Sequence, residues 1–284
     1  MSAETNGARD PVRRQEWERW RARRADAVEA PYGPLSVTGT YWIADLGDAG
    51  AARGAGLPGE WAESADGTRV LLTASVADGV AVDGVLLAGE ARLGADDESD
   101  PGSSRVSYGS RRLVLMRREE QWAVRVFDPE AGARRRFPGI DVHPYAPAWV
   151  REGSFTPYES GERTVRVGNA DGVERGLGLA GELAFTGPEG SAHTLQVAVV
   201  EGGGLWAVLA DGTSEGEGTR SGGSYRFRFL RTEAPDAGGA VTVDFNRLTL
   251  PPCAFTDSFL CPFPPPGNRL SLALPAGERA VRAG

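Results

Sequence analysis

Hydrophobic and polar residues alternate along most of the chain after Pro31. Apolar side chains recur at every second position in short runs separated by glycine-rich turns, which is typical of antiparallel β-strands. The dipeptide Asp83-Gly84 between two apolar stretches predicts a two-residue hairpin over Val80 to Leu87. The remaining predicted strands cover 69–76, 111–118, 122–127, 164–167, 181–185, 195–200, 205–209, 225–230, 241–245 and 270–274.

The N-terminal segment has a helical period instead. Asp10-Pro11 is a favourable helix start, with Asp10 as the N-cap and Pro11 at the first helical position. From there to about Glu29, one face collects the apolar side chains of Trp17, Trp20, Ala27 and Val28. The remaining surface carries Arg13, Arg14, Arg19, Arg21 and Arg23. Such a run could dock on an acidic partner, but a solvated face is the simpler interpretation.

These elements predict a mostly β protein in which an N-terminal helix precedes two antiparallel β domains. Prolines in the segment 143–147 resist both helix and sheet, so we expect the domains to be connected there. The predicted organisation is a helix at 1–30, a β-sandwich at 31–142, and a barrel-like or sandwich domain at 143–284. The second domain ends in a proline-rich segment, 251–268, which we expect to be irregular and held by side chains.

Composition and charge narrow the possible functions. The chain has 284 residues and a net charge of −8, and every basic residue is an arginine. Nucleic-acid binding draws most of its affinity from phosphate neutralisation, so an acidic chain is not expected to bind nucleic acid. No apolar run is long enough to cross a bilayer, and the charged N-terminus lacks the apolar core of a secretion signal. We therefore expect a cytoplasmic protein without a membrane partner.

Cysteine and histidine usage gives no indication of a metal or a cofactor. Cys253 and Cys261 could form a disulfide across the proline-rich segment, but a reducing cytoplasm favours two half-buried thiols. His143 and His193 have no second metal ligand at helix or hairpin spacing. The string 212–216 matches a nucleophile elbow around its serine, but glycines follow where a helix is required, so we expect no catalytic triad there.

Two neighbouring strands carry the best indication of a polar site. In the strand 225–230, alternation places the aromatic side chains on one face and Arg226 and Arg228 on the other. The next strand likewise separates its apolar residues from Asp244 and Asn246. The short loop between the strands predicts an antiparallel hairpin that sets Arg228 opposite Asp244 and Arg226 opposite Asn246. The polar face of this hairpin either lies in water or lines the inside of a barrel.

A polar cluster around this hairpin is the candidate site. An arginine–carboxylate pair with flanking amides could bind a small polar molecule, where bidentate geometry matters. The same groups could instead satisfy the buried backbone of the proline-rich segment, and the residues alone favour this structural role. The candidate ligand-binding residues are Asp211, Thr213, Arg228, Asp244, Asn246, Asn268 and Arg269.

Three functions remain open on this basis. The leading hypothesis is a non-catalytic protein that binds a small polar ligand or has a regulatory role. The second is an atypical hydrolase or lyase with Asp244 or Asp211 as the base, which requires a carboxylate of raised pKa in a concave pocket. The third is a protein-interaction module acting through the N-terminal helix, which requires Trp17 and Trp20 to be left uncovered. The protein partner in that case is not specified by the sequence.

Motifs along nearly the whole chain resemble those of a known family. They are Trp20-Arg21, Arg24, Pro34 to Gly39, Trp42, Arg136-Phe137, Gly139, Asp211, Thr213-Ser214, Thr219, Tyr225, Arg228, Asp244 to Asn246, Pro251 to Phe255, Cys261-Pro262, Asn268 to Leu270 and Gly277-Glu278. In these residues the chain resembles domain-of-unknown-function family 1684, a bacterial family. The resemblance implies a β-rich protein, cytoplasmic or exported, with no established reaction. Leu250 is a departure, because the family pattern carries Asn before the two prolines, and a site that used this Asn would be altered here.

The first half of the chain also resembles a forkhead-associated sandwich. Val80 to Leu87 and Ala91 to Gly94 are similar to the late strands of that fold. The serine and arginine that read a phosphopeptide are not evident in the sequence. This resemblance therefore implies a fold and carries no function.

Overall fold

The computed structural model describes residues 4–46, 56–214 and 223–283, with side chains from Pro11 onward. The chain divides into two compact units, Asp26–Phe137 (the first unit) and Met1–Ala25 with Pro138–Gly284 (the second unit). A helix, α1 (Glu4–Glu29), precedes a succession of strands that pair in antiparallel fashion. The protein is thus mostly β with an N-terminal helix, as predicted. The boundaries proposed at 31 and 143 for separate domains stay a prediction.

Helix α1 begins at Glu4, earlier than predicted, and Pro11 lies inside it. The assignment of Asp10 as the N-cap is therefore wrong. A proline near the start of a helix removes one main-chain hydrogen bond, but α1 continues past Pro11. On the predicted apolar face, Trp17 and Val28 are buried, whereas Trp20 is half-buried and Ala27 is exposed. In the described part of the chain, no helix combines the length and apolar character needed to cross a bilayer.

In its described residues, 26–46 and 56–137, the first unit contains nine strands and a short helix. They are β1 (Val37–Trp42), β2 (Glu60–Glu63), β3 (Val70–Ala74), β4 (Val80–Val82), β5 (Val85–Leu86), β6 (Gly89–Leu93), β7 (Val106–Tyr108), β8 (Arg111–Arg118), β9 (Gln121–Phe127) and α2 (Gly132–Arg135). A six-stranded sheet has the order β1-β9-β8-β7-β4-β5, and a three-stranded sheet has the order β2-β3-β6. Buried side chains of both sheets form one apolar core that includes Leu72, Val80, Leu115, Trp122 and Val124.

The predicted hairpin of the first unit is confirmed as β4 and β5. Its two turn residues, Asp83 and Gly84, have φ angles of 52° and 80°. Positive φ at both central positions is what a type I′ turn requires, and such a turn matches the twist of the flanking strands. The predicted strands 111–118 and 122–127 are likewise confirmed as β8 and β9.

The part of the second unit that the structure describes forms ten strands. They are β10 (Ile140–Val142), β11 (Val150–Pro157), β12 (Arg163–Gly168), β13 (Glu174–Leu179), β14 (Gly181–Thr186), β15 (Ala192–Val199), β16 (Leu205–Leu209), β17 (Arg228–Arg231), β18 (Ala240–Asp244) and β19 (Glu278–Val281). A six-stranded sheet has the order β17-β16-β15-β14-β11-β18, and β12-β13 and β10-β19 form two-stranded ribbons. The core of this sheet includes Leu183, Leu195, Leu209, Val243 and Phe245.

The predicted hairpin between Arg228 and Asp244 is wrong. Strand β17 pairs with β16, and β18 pairs with β11, so the two strands form opposite edges of the six-stranded sheet. Each cross-strand pair contributes at most about 1 kcal/mol, so a local pattern of pairs does not decide which strands become neighbours. Here β18 pairs with β11, in a register that runs from Val150 opposite Asp244 to Ser154 opposite Ala240. Hydrogen bonds of 2.9 and 3.0 Å between Phe229 and Thr249 then bring the β17 edge to the chain that follows β18.

The C-terminal segment between β18 and β19 is irregular, as its prolines predicted. The strand predicted at 270–274 is wrong, because these residues form a bend at 271–272 and otherwise have no regular structure. Likewise, the strand predicted at 225–230 begins only at Arg228. The segment is anchored by side chains, and these anchors include most of the residues proposed for the site.

Candidate functional site

A buried ion pair joins Arg228 on β17 to Asp211, which follows β16. The Nη2 group of Arg228 donates to Oδ2 of Asp211 at 2.6 Å, and both side chains are 0% exposed. The same group donates to the carbonyl oxygen of Leu274 at 2.9 Å, while Nη1 donates to the carbonyl oxygens of Ala276 and Glu278. Arg228 therefore holds the C-terminal segment, and its predicted pairing with the β18 aspartate does not form.

The carboxylate of Asp211 is satisfied within the protein. Its Oδ1 atom accepts from the main-chain N–H of Thr213 at 2.8 Å, from the Thr213 hydroxyl at 2.7 Å and from the N–H of Leu274 at 3.1 Å. Burial would raise the pKa of Asp211, but the charge and hydrogen bond of Arg228, with the bonds from Thr213, outweigh burial and hold the pKa below its usual value. A general base needs the opposite shift, so Asp211 is a poor candidate for one.

Thr213 extends this network to a histidine. Its hydroxyl oxygen lies 2.8 Å from Oγ of Ser224, which in turn lies 3.2 Å from Nε2 of His143. Burial, and then the charges of Arg228 and Arg279, lower the pKa of His143. No pattern in the sequence predicts this contact, because the histidine and the serine are 81 residues apart. Ser224 is only 1% exposed, so the network is structural rather than open to a substrate.

The nucleophile-elbow string around Ser214 has a local role in the described residues. The Ser214 hydroxyl accepts a hydrogen bond from the main-chain N–H of Asp211 at 3.1 Å and lies 3.4 Å from its carboxylate. Glu215 and Gly216, which complete the string, lie outside the described residues. Ser214 thus belongs to the turn that positions Asp211.

Asn268 fixes the proline-rich segment to the sheet. Its Oδ1 atom accepts from the N–H of Gln196 at 2.8 Å, and its Nδ2 group donates to the carbonyl oxygens of Gln196 and Val208, each at 2.9 Å. The neighbouring Arg269 has an exposed side chain, and its main chain pairs with Ala210. Asn268 therefore forms hydrogen bonds with main-chain groups, which is the structural role that the sequence favoured.

Glu278 supplies another anchor, which the candidate site did not include. Its carboxylate accepts from Nε of Arg24 at 3.0 Å and from the N–H of Leu250 at 2.6 Å, and the residue is 2% exposed. The main-chain N–H of Glu278 donates to the carbonyl oxygen of Leu248 at 2.8 Å. Leu250, the position at which this chain departs from the family pattern, contributes only its main-chain N–H to the contact with Glu278.

Asp244 lies at the opposite edge of the sheet, at the end of β18. Its Oδ1 atom accepts from the main-chain N–H of Asn246 at 3.0 Å and from Nδ2 of Asn246 at 2.9 Å, and its Oδ2 atom lies 3.3 Å from Nε of Arg247. Burial raises the pKa of Asp244, although the hydrogen bonds of Asn246 and the charges of Arg247 and Arg13 act in the other direction. Asn246 itself is buried and bonds the N–H and the carbonyl oxygen of Ala146, so it too serves the backbone.

A cavity of about 250 Å³ opens beside Asp244. Its wall combines the start of α1, the end of β17 and the end of β18. The charged residues that line it are Arg13, Glu16, Arg231, Glu233, Asp244 and Arg247. Of the predicted site residues, Asp244 is the one that lines this cavity. Among the described residues, no group of three or more His, Cys, Asp or Glu side chains is arranged to hold a metal ion.

The second unit is thus built on an antiparallel sheet, and buried polar side chains hold its irregular C-terminal segment in place. The sequence profile of the family described as "Protein of unknown function (DUF1684)" matches residues 135–279, about half of the chain. The chain belongs to that family, and the predicted resemblance is confirmed. The motifs between Trp20 and Trp42 lie outside the matched range.

One solved structure similar to this chain is the solution NMR structure of an uncharacterized protein of Haloarcula marismortui. It is 30% identical, and the match covers 51% of this chain and 78% of that chain with a TM-score of 0.39. A comparison with curated proteins found no match.

Proposed function

We propose that this protein binds a small polar ligand, without converting it, in the cavity beside Asp244. The observation that carries the proposal is the set of three arginine side chains, Arg13, Arg231 and Arg247, that line one concave site together with this carboxylate. Arg247 is paired with Asp244. Among the described residues, Arg13 and Arg231 form no such ion pair, so their guanidinium groups are available to an anion.

The size and charge of the cavity indicate the kind of ligand. A volume of about 250 Å³ is smaller than the pockets of roughly 300–1,000 Å³ that hold drug-sized molecules, so the ligand is a small metabolite. Guanidinium groups match a carboxylate in bidentate geometry. The opposing Glu16, Glu233 and Asp244 favour a ligand that also carries hydroxyl or ammonium donors. An amino acid or a hydroxy acid has both features.

The burial of Trp17 within the second unit argues against the hypothesis that the N-terminal helix is a protein-interaction module. Trp17 is 6% exposed, its Nε1 group donates to the carbonyl oxygen of Asn246 at 2.8 Å, and its ring lies 5.5 Å from that of Tyr145. Trp20 is half-buried. The larger part of the apolar face required for docking is therefore already in use, and the start of the helix supplies Arg13 and Glu16 to the cavity instead.

A hydrolase or lyase is the second candidate, and the raised pKa of Asp244 in a concave site favours it. In that case Asp244 takes a proton from water or substrate, and a nearby guanidinium stabilises the developing negative charge. The test is turnover of p-nitrophenyl esters, phosphates and glycosides by wild type and by Asp244→Asn. Turnover that the variant loses, with a pH–rate inflection above 3.8, supports this candidate over simple binding.

Location and partners follow from the same proposal. The buried thiol state of Cys253 and Cys261 suits a reducing compartment, which supports a place in the cytoplasm. The net charge of −8 supports a small-molecule ligand over nucleic acid.

A thermal-shift screen tests the binding proposal. Wild type, Arg231→Gln and the control Arg163→Gln are melted with amino acids, hydroxy acids, dicarboxylates, sugars and nucleotides. Arg163 is a matched control because it lies over the ring of Tyr158 at 4.1 Å beside a different cavity of the same unit. A ligand at about 100 times its Kd stabilises a protein by about 2.7 kcal/mol, which raises Tm by several degrees.

We expect a carboxylate-bearing compound to raise the Tm of wild type and of Arg163→Gln but not that of Arg231→Gln. If every compound shifts all three proteins equally, or shifts none of them, the Asp244 cavity is not a ligand site.

A further inference from the structure

The two cysteines of the chain lie against each other in the second unit. The main-chain N–H of Cys253 donates to Sγ of Cys261 at 3.4 Å, and each residue is 6% exposed. They are the only cysteines in the sequence, and both are thiols. Together with Phe227, they belong to a small apolar cluster next to β16, separate from the main core of the six-stranded sheet.

Polar groups at the edge of this cluster face Cys253. The hydroxyl of Tyr225 lies 3.9 Å from the sulfur of Cys253, and 3.4 Å from its carbonyl oxygen. The guanidinium of Arg226 lies over the rings of Tyr225, Phe227 and Phe263, with its central carbon 4.9 Å from the centre of the last. A hydroxyl donor, a second thiol and a fixed positive charge therefore converge on one sulfur.

These neighbours favour the reactive form of the thiol. A hydrogen bond from the Cys261 thiol, followed by one from Tyr225 and the charge of Arg226, lowers the pKa of Cys253 to about 7 against the opposing effect of burial. Burial and the nearby Cys253 raise the pKa of Tyr225 to about 12, so its hydroxyl keeps its proton and donates. The thiolate is the nucleophilic form of cysteine, and a neighbouring thiol is typical of a redox-active pair.

We propose that Cys253 and Cys261 form a peroxide-reactive dithiol in which Cys253 is the attacking residue and Cys261 is the resolving residue. This inference does not depend on the Asp244 cavity, because none of the charged residues that line the cavity belongs to the thiol cluster.

The reaction balances with a hydroperoxide as the oxidant. The Cys253 thiolate attacks one peroxide oxygen, the O–O bond breaks, and the departing hydroxide or alkoxide takes up a proton as Cys253 becomes a sulfenic acid. The Cys261 sulfur then attacks the Cys253 sulfur, the S–O bond breaks, and the leaving hydroxide takes the thiol proton to become water. Overall, the two thiols lose two electrons and two protons, and the peroxide is reduced to water or to an alcohol and water.

The disulfide would close a short loop in the proline-rich segment. This segment already contacts the β12–β13 ribbon, because the carbonyl oxygen of Cys261 accepts from the N–H of Ala170 at 2.9 Å and that of Leu260 accepts from Nδ2 of Asn169 at 3.1 Å. The Cys261 sulfur lies 3.4 Å from the main-chain nitrogen of Cys253, so the two residues are in direct contact. The bond thus forms within one anchored segment.

Peptide mapping tests the proposal directly. The chain has no lysine, so trypsin releases residues 248–269 as one peptide with both cysteines. Reduced full-length protein is treated with hydrogen peroxide, alkylated, digested and weighed, with a urea-unfolded sample alongside. We expect the native peptide to lose two hydrogens, to resist alkylation until it is reduced again, and to react at least about tenfold faster than the unfolded chain.

Two variants separate the roles. In Cys261→Ser, we expect a sulfenic acid to accumulate on Cys253 and to be trapped by dimedone. In Cys253→Ser, we expect the remaining thiol to react at least about tenfold more slowly than wild type. The wild-type comparison stands by itself if either variant fails to fold. A native dithiol that reacts no faster than the unfolded chain, forms a disulfide only between molecules, or oxidises without any disulfide would overturn the proposal.

Discussion

The guanidinium of Arg228 and the carboxylate of Asp211 form an ion pair of 2.6 Å in which neither side chain reaches solvent. The arginine also donates to the carbonyl oxygens of three residues near the C-terminus, Leu274, Ala276 and Glu278. A buried carboxylate and an irregular backbone thus accept hydrogen bonds from both terminal nitrogens of a buried cation, whereas Nε of Arg228 has no hydrogen-bond partner among the described residues. Each would be costly to bury alone, since an unpaired buried polar group loses its hydration without replacement.

Arg228→Met therefore tests whether this pair holds the second unit together. Removing one partner of a buried ion pair costs about 3–5 kcal/mol, because the other charge stays buried without compensation. We expect the free energy of unfolding in urea to fall by that amount. The double variant Arg228→Met with Asp211→Leu should recover part of the loss, since both charges are then absent. A single variant within about 1 kcal/mol of wild type would contradict the role assigned to Arg228.

Asn268 offers a second test within the same segment. Asn268→Ala removes the three hydrogen bonds that its side chain makes with Gln196 and Val208, and it leaves the N–H and carbonyl oxygen of half-buried Gln196 and the buried carbonyl oxygen of Val208 without those partners. We expect a loss of about 3 kcal/mol in the free energy of unfolding, measured by urea denaturation. Arg269→Ala, at the next position, removes an exposed side chain and should change stability by no more than about 0.5 kcal/mol. Similar losses in both variants would show that Asn268 is not an anchor.

The elements that local pattern decides could be predicted from the sequence. Strands β8 and β9 and the hairpin at Asp83-Gly84 follow from alternation and turn chemistry within a few residues, and they are present where expected. The need of the proline-rich segment for side-chain anchors was also predictable, because its backbone lacks a regular partner.

The sequence did not reveal which partner each polar residue takes. Asp211 and Asp244 lie about equally far along the chain from Arg228, and the order of strands in the sheet decides between them. That order depends on competition among all the strands, which no single pair determines. The cavity could not be predicted either, because it combines Arg13 on α1 with residues of β17 and β18, and the sequence alone favours a solvated face for Arg13.

His143 gives a test based on pH. Its pKa in the folded protein lies below the ordinary value of 6.5, because burial and the charges of Arg228 and Arg279 outweigh the attraction of Asp211 and Asp141. The unfolded chain then binds the proton more readily than the folded protein does. The stability contributed by neutral His143 is therefore complete above about pH 6.5 and decreases as the pH falls below that value.

We expect His143→Gln to flatten this dependence while keeping a donor for Ser224. Free energies of unfolding of wild type and variant are measured at intervals between about pH 7.5 and 5.5, where most carboxylates stay ionised. The other histidine, His193 beside Glu189, is the same in both proteins, so it contributes equally to the two slopes. If His143→Gln keeps the wild-type slope, the loss below pH 6.5 has another origin.

Gly277 tests how closely the C-terminal segment lies on the chain after β18. Gly277 has a φ of +75°, and a Cβ added there would lie 2.6 Å from Cβ of Leu248 and 2.7 Å from its carbonyl oxygen. Gly161 has nearly the same φ, +77°, with no atom within 4 Å of an added Cβ. Gly161→Ala therefore measures the backbone cost alone, which is about 1–2 kcal/mol. Gly277→Ala should lose at least about 2 kcal/mol more, because backbone atoms of Leu248 cannot move aside. Equal shifts of the two urea midpoints would mean that the segment relaxes freely and that the contact does not position it.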